Sequence, residues 1–200
     1  MQKINQKYIN SIVKTALKED LKPLGDITTQ LIASKNRRLN AKIISKQNGI
    51  VSGLNFCKAA FKLIDKKTNF KVMVKDGNKV RKNKIIAKIT GKTKSLLIAE
   101  RTALNFLSHS SGISTLTNRF VKKVRKKTKI CCTRKTTPNL RLLEKFAVKK
   151  GGGLNHRYNL SQEILIKDNH IFAEKNLRKL VQKAIKSKKI VTVEIEKIKQ

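Results

Sequence analysis

The side chains best suited to chemistry in this 200-residue chain fall at a few repeated places in its last third. Thr133, Arg134 and Lys135 follow the apolar run KICC. His156 and Arg157 follow GGGLN, Lys167 closes EILIK, and Glu196 closes IVTVEIE. Four of these groups, Arg134, Lys135, Arg157 and Lys167, are cations, and His156 is a further donor. Arginine pairs bidentately with carboxylate or phosphate, and lysine supplies a mobile point charge. Four cations aimed at one pocket would repel one another when it is empty, so the expected ligand is small and multiply anionic. The lone acid, Glu196, suits hydroxyl groups or a cation held near phosphate oxygens.

Positioning these groups requires strands that end at a common rim. The short runs TKICC (128–132), GGGLN (151–155), EILIK (163–167) and IVTVEIE (190–196) read as strands. Between them, PNLRLLEKFAVKK (138–150) has Pro at the expected first helical turn and a stripe of Leu142, Leu143, Phe146 and Ala147. EKNLRKLVQKAIKSK (174–188) has Leu177, Leu180, Val181, Ala184 and Ile185 on one face. Strands alternating with helices predict a parallel α/β sheet or barrel, where active sites gather at the strands' carboxyl ends. Every candidate side chain above lies at such an end.

The stretch KKGGGLNHRYNL holds three of the chain's nine glycines. Gly151 is the expected cap of the preceding helix. The other two would make room for a ligand or for tight helix–strand packing.

The first half reads differently. Residues 1–21 form a helical pattern, and PLGD (23–26) stops it. Runs such as LNAKIISK, GIVSG, FKVMVKDG and KIIAKITG, with the turn dipeptides Asn48-Gly49 and Asp76-Gly77, predict short strands between residues 39 and 90. Residues 95–124 form a long helical pattern that Ser110-Ser111-Gly112 could interrupt. The expected division is an N-terminal α/β sandwich with a linking helix over 1–110, then the first part of an α/β barrel over 111–200 that carries the site.

Composition narrows the function classes. Formal net charge is +36, from 48 Lys and Arg against 12 Asp and Glu. The lysines are spread along the whole length, aromatics are 4% and Trp is absent, so platforms for stacking bases are scarce. The charge therefore reads as compositional drift rather than as a nucleic-acid footprint, and nucleic acid is not the expected partner. No apolar run reaches the roughly 18 residues that cross a bilayer, and the N-terminus lacks a secretory signal's apolar region. Cys57, Cys131 and Cys132 make no disulfide framework, and a reducing cytoplasm is the expected home. Cys131 and Cys132 read as strand core. No CxxC pattern or histidine cluster at zinc spacing appears, so no metal ligand is expected from the protein alone.

TRKTTPNLRLLEKFAVKKGGGLNHRYNLSQEILIKDNHI (133–171) closely resembles the quinolinate phosphoribosyltransferases, the decarboxylating enzymes of de novo NAD synthesis. EDLKPLGDITTQLI (19–32), AERTALNFLSHSSGIST (99–115) and VTVEIE (191–196) agree with the same family. The resemblance implies an N-terminal α/β sandwich joined to an α/β barrel, in a homodimer or a hexamer of dimers in which one sandwich covers the neighbour's barrel. It implies conversion of quinolinate and phosphoribosyl pyrophosphate to nicotinate mononucleotide, pyrophosphate and carbon dioxide, with Mg2+. By position, Arg101 matches the arginine lent to the partner's site. Thr133, Arg134, Lys135, His156, Arg157 and Lys167 match the pocket for the two quinolinate carboxylates and nearby phosphate. Glu196 matches the acid near ribose and metal, and Lys135, Lys167 and Glu196 are the expected catalytic groups.

Two departures stand out. Asn139 occupies a position where the family usually has glycine, and Asn tolerates left-handed backbone better than most residues. The sequence ends after about four strands, whereas a complete (β/α)8 barrel takes ~250 residues, so a fragment or truncated form is expected. Alternatives are a paralogue of the same fold associated with molybdate transport, and a basic nucleic-acid-binding protein. A biotinyl- or lipoyl-type carrier is disfavoured, since neither Met1 nor Met73 precedes a hairpin lysine.

Overall fold

The structure, a computed structural model, describes residues 4–33, 37–124 and 128–197. It comprises two compact units, one of Met1–Cys132 with Thr136–Asn155 and one of Thr133–Lys135 with His156–Gln200. These units are drawn differently from the 1–110 and 111–200 division, because the long helix and the strand–helix–strand after it belong to the first unit.

Helix α1 (Gln6–Leu21) begins where the Asn5 side chain accepts the Lys7 N–H, and Ile9, Val13 and Leu17 at i, i+4, i+8 are its buried stripe. Residues 1–3 of the predicted helix lie outside the described residues. The helix stops before Pro23, which disfavours helical backbone at Lys22. Asp26 then caps α2 (Ile27–Ile32), accepting the Thr29 N–H at 2.9 Å.

Next come β1 (Arg38–Ile44), β2 (Gly49–Ile50), α3 (Leu54–Ile64), β3 (Asn69–Val72), β4 (Lys79–Val80) and β5 (Ile85–Lys92). β5 is the centre of an antiparallel sheet in the order β1–β5–β3, and β2 pairs with β4. Buried Phe56, Cys57, Ala60 and Phe61 of α3 join Phe70, Ala87 and Ile89 of the strands in the core. They meet Ala99, Ala103, Phe106 and Leu107 of α4 (Thr93–Lys123), with the Phe56 and Phe106 ring centroids 5.5 Å apart. Each large side chain removed from water here contributes about 1.5–3 kcal/mol.

Ser110-Ser111-Gly112 does not interrupt α4, because its hydroxyls bond to neighbouring elements instead of competing for their own helix. Ser110 Oγ donates to Ser52 Oγ at 2.9 Å, Ser111 Oγ accepts the Ser52 N–H at 3.0 Å, and Ser114 Oγ donates to the Ala147 carbonyl at 2.7 Å.

The first unit closes with β6 (Cys131–Cys132), α5 (Arg141–Lys150) and β7 (Leu154–Asn155), the two strands parallel with Cys131 opposite Leu154. Cys131 is exposed and Cys132 half-buried, so the expectation of strand core is wrong: the strand is two residues long and only one of its faces is partly covered. Pro138 precedes α5 instead of opening it, since Asn139 at φ 64° turns the chain before Arg141.

Two of the three glycines serve packing. A Cβ on Gly151 would lie 2.4 Å from the Ser114 carbonyl oxygen, and one on Gly153 2.8 Å from Val148 Cγ1 and 2.9 Å from Thr117 Cγ2. Gly151 caps α5 as expected, its N–H donating to the Ala147 carbonyl, while Gly152 takes a φ of 92°. Gly151 and Gly153 thus let the end of α5 press against α4, whereas Gly152 is exposed.

The second unit contains β8 (Ile164–Ile166), α6 (Asp168–Glu174), α7 (Leu177–Ile185) and β9 (Val191–Val193). β8 and β9 are parallel, with Ile166 opposite Val193. The strand expected over 190–196 is shorter than predicted, its last rung being Glu194 N–H to the Ile166 carbonyl at 2.9 Å. Helix α6 was not anticipated. The whole is an α/β fold, with parallel strands in the second half as the alternating pattern predicts.

Candidate active site

Thr133, Arg134, Lys135, His156, Arg157, Lys167 and Glu196 all belong to the second unit, although they are spread from residue 133 to residue 196. Arg101 does not: it is exposed on α4 in the first unit. Two cavities, of about 590 and 300 Å3, lie in the first unit, and none of the candidate residues lines either.

Within the second unit the local chain explains each placement. Thr133 Oγ1 accepts the Lys135 N–H at 3.2 Å, a tight turn with Thr133 and Lys135 exposed. Arg157 is 7% exposed, and its guanidinium donates to the Glu163 carbonyl at 3.2 Å, so it is fixed in place. His156 Nδ1 stands 3.7 Å from the Glu163 carboxylate. Lys167 comes directly after β8, its N–H donating to His170 Nδ1 at 3.0 Å. Its Nζ lies 3.3 Å from Glu194 Oε2, with the two side chains 38% and 58% exposed.

That ion pair exposes an error in the sequence reading. Glu196 does not close the fourth strand; it sits two residues further on, exposed in a bend. The acid at the carboxyl end of β9 is Glu194, and the parallel register that sets Ile166 beside Val193 brings it to Lys167. Strand alternation puts residues 194 and 196 on the same face, so the sequence offered no way to choose between them.

Two more residues were missed. Glu144 and Lys145 on α5 are 9% and 3% exposed, and with Arg157 they are the buried charged residues among those described. Glu144 Oε2 accepts the Thr137 N–H at 3.1 Å, and its Oε1 lies 2.9 Å from His109 Nε2. Burial raises the Glu144 carboxyl, but the Thr137 hydroxyl, the His109 ring and the Thr137 amide together outweigh it and hold the group below the usual glutamate range. Lys145 Nζ donates to Cys132 Sγ at 3.2 Å. The signal available was a Glu-Lys pair lying between Leu143 and Phe146 of the apolar stripe.

Comparison with known proteins places these features. The family model for the quinolinate phosphoribosyl transferase N-terminal domain matches residues 26–111, and that for the C-terminal domain matches residues 113–200. A probable nicotinate-nucleotide pyrophosphorylase [carboxylating] of Bacillus subtilis (strain 168) is 40% identical over 174 residues, covering 86% of this chain and 60% of the relative. A quinolinate phosphoribosyltransferase [decarboxylating] of Nicotiana tabacum is 39% identical over 82% of this chain and 47% of its own length. The chain thus spans about half to three-fifths of these curated relatives. The NadC crystal structure from Streptococcus pyogenes superposes with a TM-score of 0.92 at 37% identity, over 98% of this chain and 71% of that one. The nicotinate-nucleotide pyrophosphorylase of Ehrlichia chaffeensis does so with a TM-score of 0.92 at 36% identity, over 100% and 72%. With the two domain models matching residues 26–111 and 113–200, and solved relatives of this identity covered over about seven-tenths of their length, the chain belongs to the quinolinate phosphoribosyltransferase family.

Proposed function

We propose that this chain acts in the decarboxylating transfer of a phosphoribosyl group from phosphoribosyl pyrophosphate to quinolinate, the reaction of de novo NAD synthesis. One observation carries the reading: Arg134, Lys135, His156, Arg157 and Lys167 are gathered in a single compact unit from three separate stretches of chain. A ligand with two carboxylates on one rigid ring matches such a set, because guanidinium forks and an ammonium can divide the two anions between them.

The chemistry follows from the charges. Clamping both carboxylates aims the ring nitrogen at the anomeric carbon of the ribose. The N–C bond forms as the bond to pyrophosphate breaks, and nearby cations stabilise the charge that leaves. In the resulting pyridinium, the ring carbon beside the nitrogen loses its carboxylate as carbon dioxide. The electron pair falls toward the positive nitrogen, and a proton takes the vacated position, giving nicotinate mononucleotide. No protein nucleophile is required. Lys135 and Lys167 are the cations we assign to the reacting groups, and Glu196 together with Glu194, which stands beside Lys167, are the acids we assign to the ribose side.

Among the described residues no three His, Cys, Asp or Glu side chains form a metal-binding group. Mg2+ commonly takes one or two carboxylates and completes its shell with water and substrate phosphate, so the carboxylates of Glu194 and Glu196 fit that role. Bound there, Mg2+ would supply charge neutralisation to the departing pyrophosphate. Arg101, exposed on α4, is available to a second copy of the chain, and we assign it to the partner's site in a homodimer or a hexamer of dimers. No helix among the described residues is long and apolar enough to cross a membrane, and the cytoplasm is the proposed location.

Arg134→Ala tests the clamp. Charge-assisted hydrogen bonds contribute roughly 1.5–3 kcal/mol, so quinolinate affinity should fall by about tenfold or more. Unchanged quinolinate affinity contradicts the assignment.

A further inference from the structure

Burying a charge is costly unless it is paired and hydrogen-bonded. Helix α5 nevertheless buries two in succession, Glu144 at 9% exposure and Lys145 at 3%. Neither is among the groups assigned to the substrates. Each has a partner that flanks Thr133–Lys135. Lys145 Nζ donates to the Sγ of Cys132, the residue immediately before this tripeptide, at 3.2 Å. Glu144 Oε2 accepts the N–H of Thr137, the second residue after it, at 3.1 Å. Cys132 is also the last residue of β6, whose Sγ bonds to Asn155 Oδ1 at 3.3 Å across the β6–β7 pair.

We propose that Glu144 and Lys145 are positioning residues that grip the two ends of the Thr133–Lys135 excursion, and so set where Arg134 and Lys135 stand for the dicarboxylate. The proposal rests on the functional reading above. Thr133 and Lys135 are exposed, and the Lys135 N–H donates to Thr133 Oγ1 at 3.2 Å. The stretch after it is held by more than Glu144. Arg141 Nε donates to Thr136 Oγ1 at 3.0 Å, and Tyr8 Oη donates to the Asn139 carbonyl at 2.8 Å. Glu144 is in turn braced by His109 Nε2 at 2.9 Å, which ties the grip to α4.

The test is quinolinate binding to the full chain by calorimetry, alongside thermal denaturation. Glu144→Leu removes the acceptor, whereas Glu144→Gln keeps a carbonyl for the Thr137 N–H. We expect Glu144→Leu to weaken binding about tenfold, and Glu144→Gln to stay within about threefold of the unsubstituted chain. Lys145→Met keeps the aliphatic stem and should weaken binding in the same way. A purely structural role predicts lower melting temperatures with unchanged affinity in the folded protein, and that result overturns the proposal. Should Glu144→Leu fail to fold, Lys145→Met at the other end of the grip decides: weaker binding by a few fold supports the grip, and unchanged affinity overturns it. Amide exchange at Thr137 gives a second measure, expected to speed up in Glu144→Leu and not in Glu144→Gln. If the unsubstituted chain binds no quinolinate, the functional reading falls and this proposal with it. If it binds and the variants match it, only the grip is wrong.

Discussion

Substituting Gly151 by alanine tests the packing role of the glycine run. Gly151 has φ −76° and ψ −5°, a conformation any residue adopts, so alanine brings no backbone strain there. The cost is steric alone. The new methyl would stand 2.4 Å from the Ser114 carbonyl oxygen and 2.7 Å from Thr117 Cβ, about 1 Å inside ordinary contact. Both neighbours are on α4, one is backbone and the other a β-branched side chain, so neither can rotate aside. Overpacking of this kind costs about 1–3 kcal/mol, and the rigidity of both neighbours puts Gly151→Ala near 2 kcal/mol. For a chain of this size that lowers the melting temperature by roughly 4–8 °C. Gly112→Ala is the control of opposite sign: nothing lies within 4 Å of its Cβ position on the same helix. Relief of the glycine penalty inside a helix should stabilise by about 0.5–1 kcal/mol. Urea denaturation followed by circular dichroism measures both, with the slopes compared to confirm that only stability has changed. A Gly151→Ala protein as stable as the parent would refute the packing account and reopen the ligand reading of these glycines.

Other outcomes follow from the buried titratable groups. The Glu144 carboxyl is held below its usual range, so it contributes stability that is fully present above the unfolded-state value near pH ~4.3 and lost as pH falls through the folded value. The stability advantage of the parent over Glu144→Gln should therefore shrink as acid unfolding is approached, and a constant difference across pH contradicts it. Asp76 behaves oppositely. Burial raises its carboxyl despite the Leu54 N–H, the nearby Lys150 charge and the Gly53 N–H, so Asp76→Asn should gain relative stability as pH rises toward neutrality. Burial, and secondarily the Asp76 charge, push the Cys57 thiol up to about 12. Iodoacetamide at mildly alkaline pH should label exposed Cys131 in the native protein and reach Cys57 only after unfolding, as mass spectrometry would show.

The sequence announced its helices by period and offered its candidate site groups by residue type. The stripe Ile9, Val13, Leu17 is the buried face of α1, and Asn139 does take the left-handed backbone that its place in the family motif requires. What escaped was decided by partners far away in the chain. Glu194 and Glu196 point the same way along a strand, and only the rung between Glu194 and Ile166 shows where β9 ends. Glu144 and Lys145 went unmarked because their partners, on α4 and β6, lie in other parts of the chain. Ser110-Ser111-Gly112 read as a break because its hydroxyl partners, Ser52 above all, are more than fifty residues away. Cys131 and Cys132 were misjudged because apolar character alone does not say which side of a two-residue strand is covered.

The central claim is that cations from separate stretches of chain grip two carboxylates on one ring. Titrating the protein with quinolinate and, separately, with nicotinate, which has one carboxylate, tests it directly by calorimetry. The account predicts that quinolinate binds at least about tenfold more tightly, since one charge-assisted contact set is lost with the second carboxylate. Equal affinity for the two ligands would contradict it.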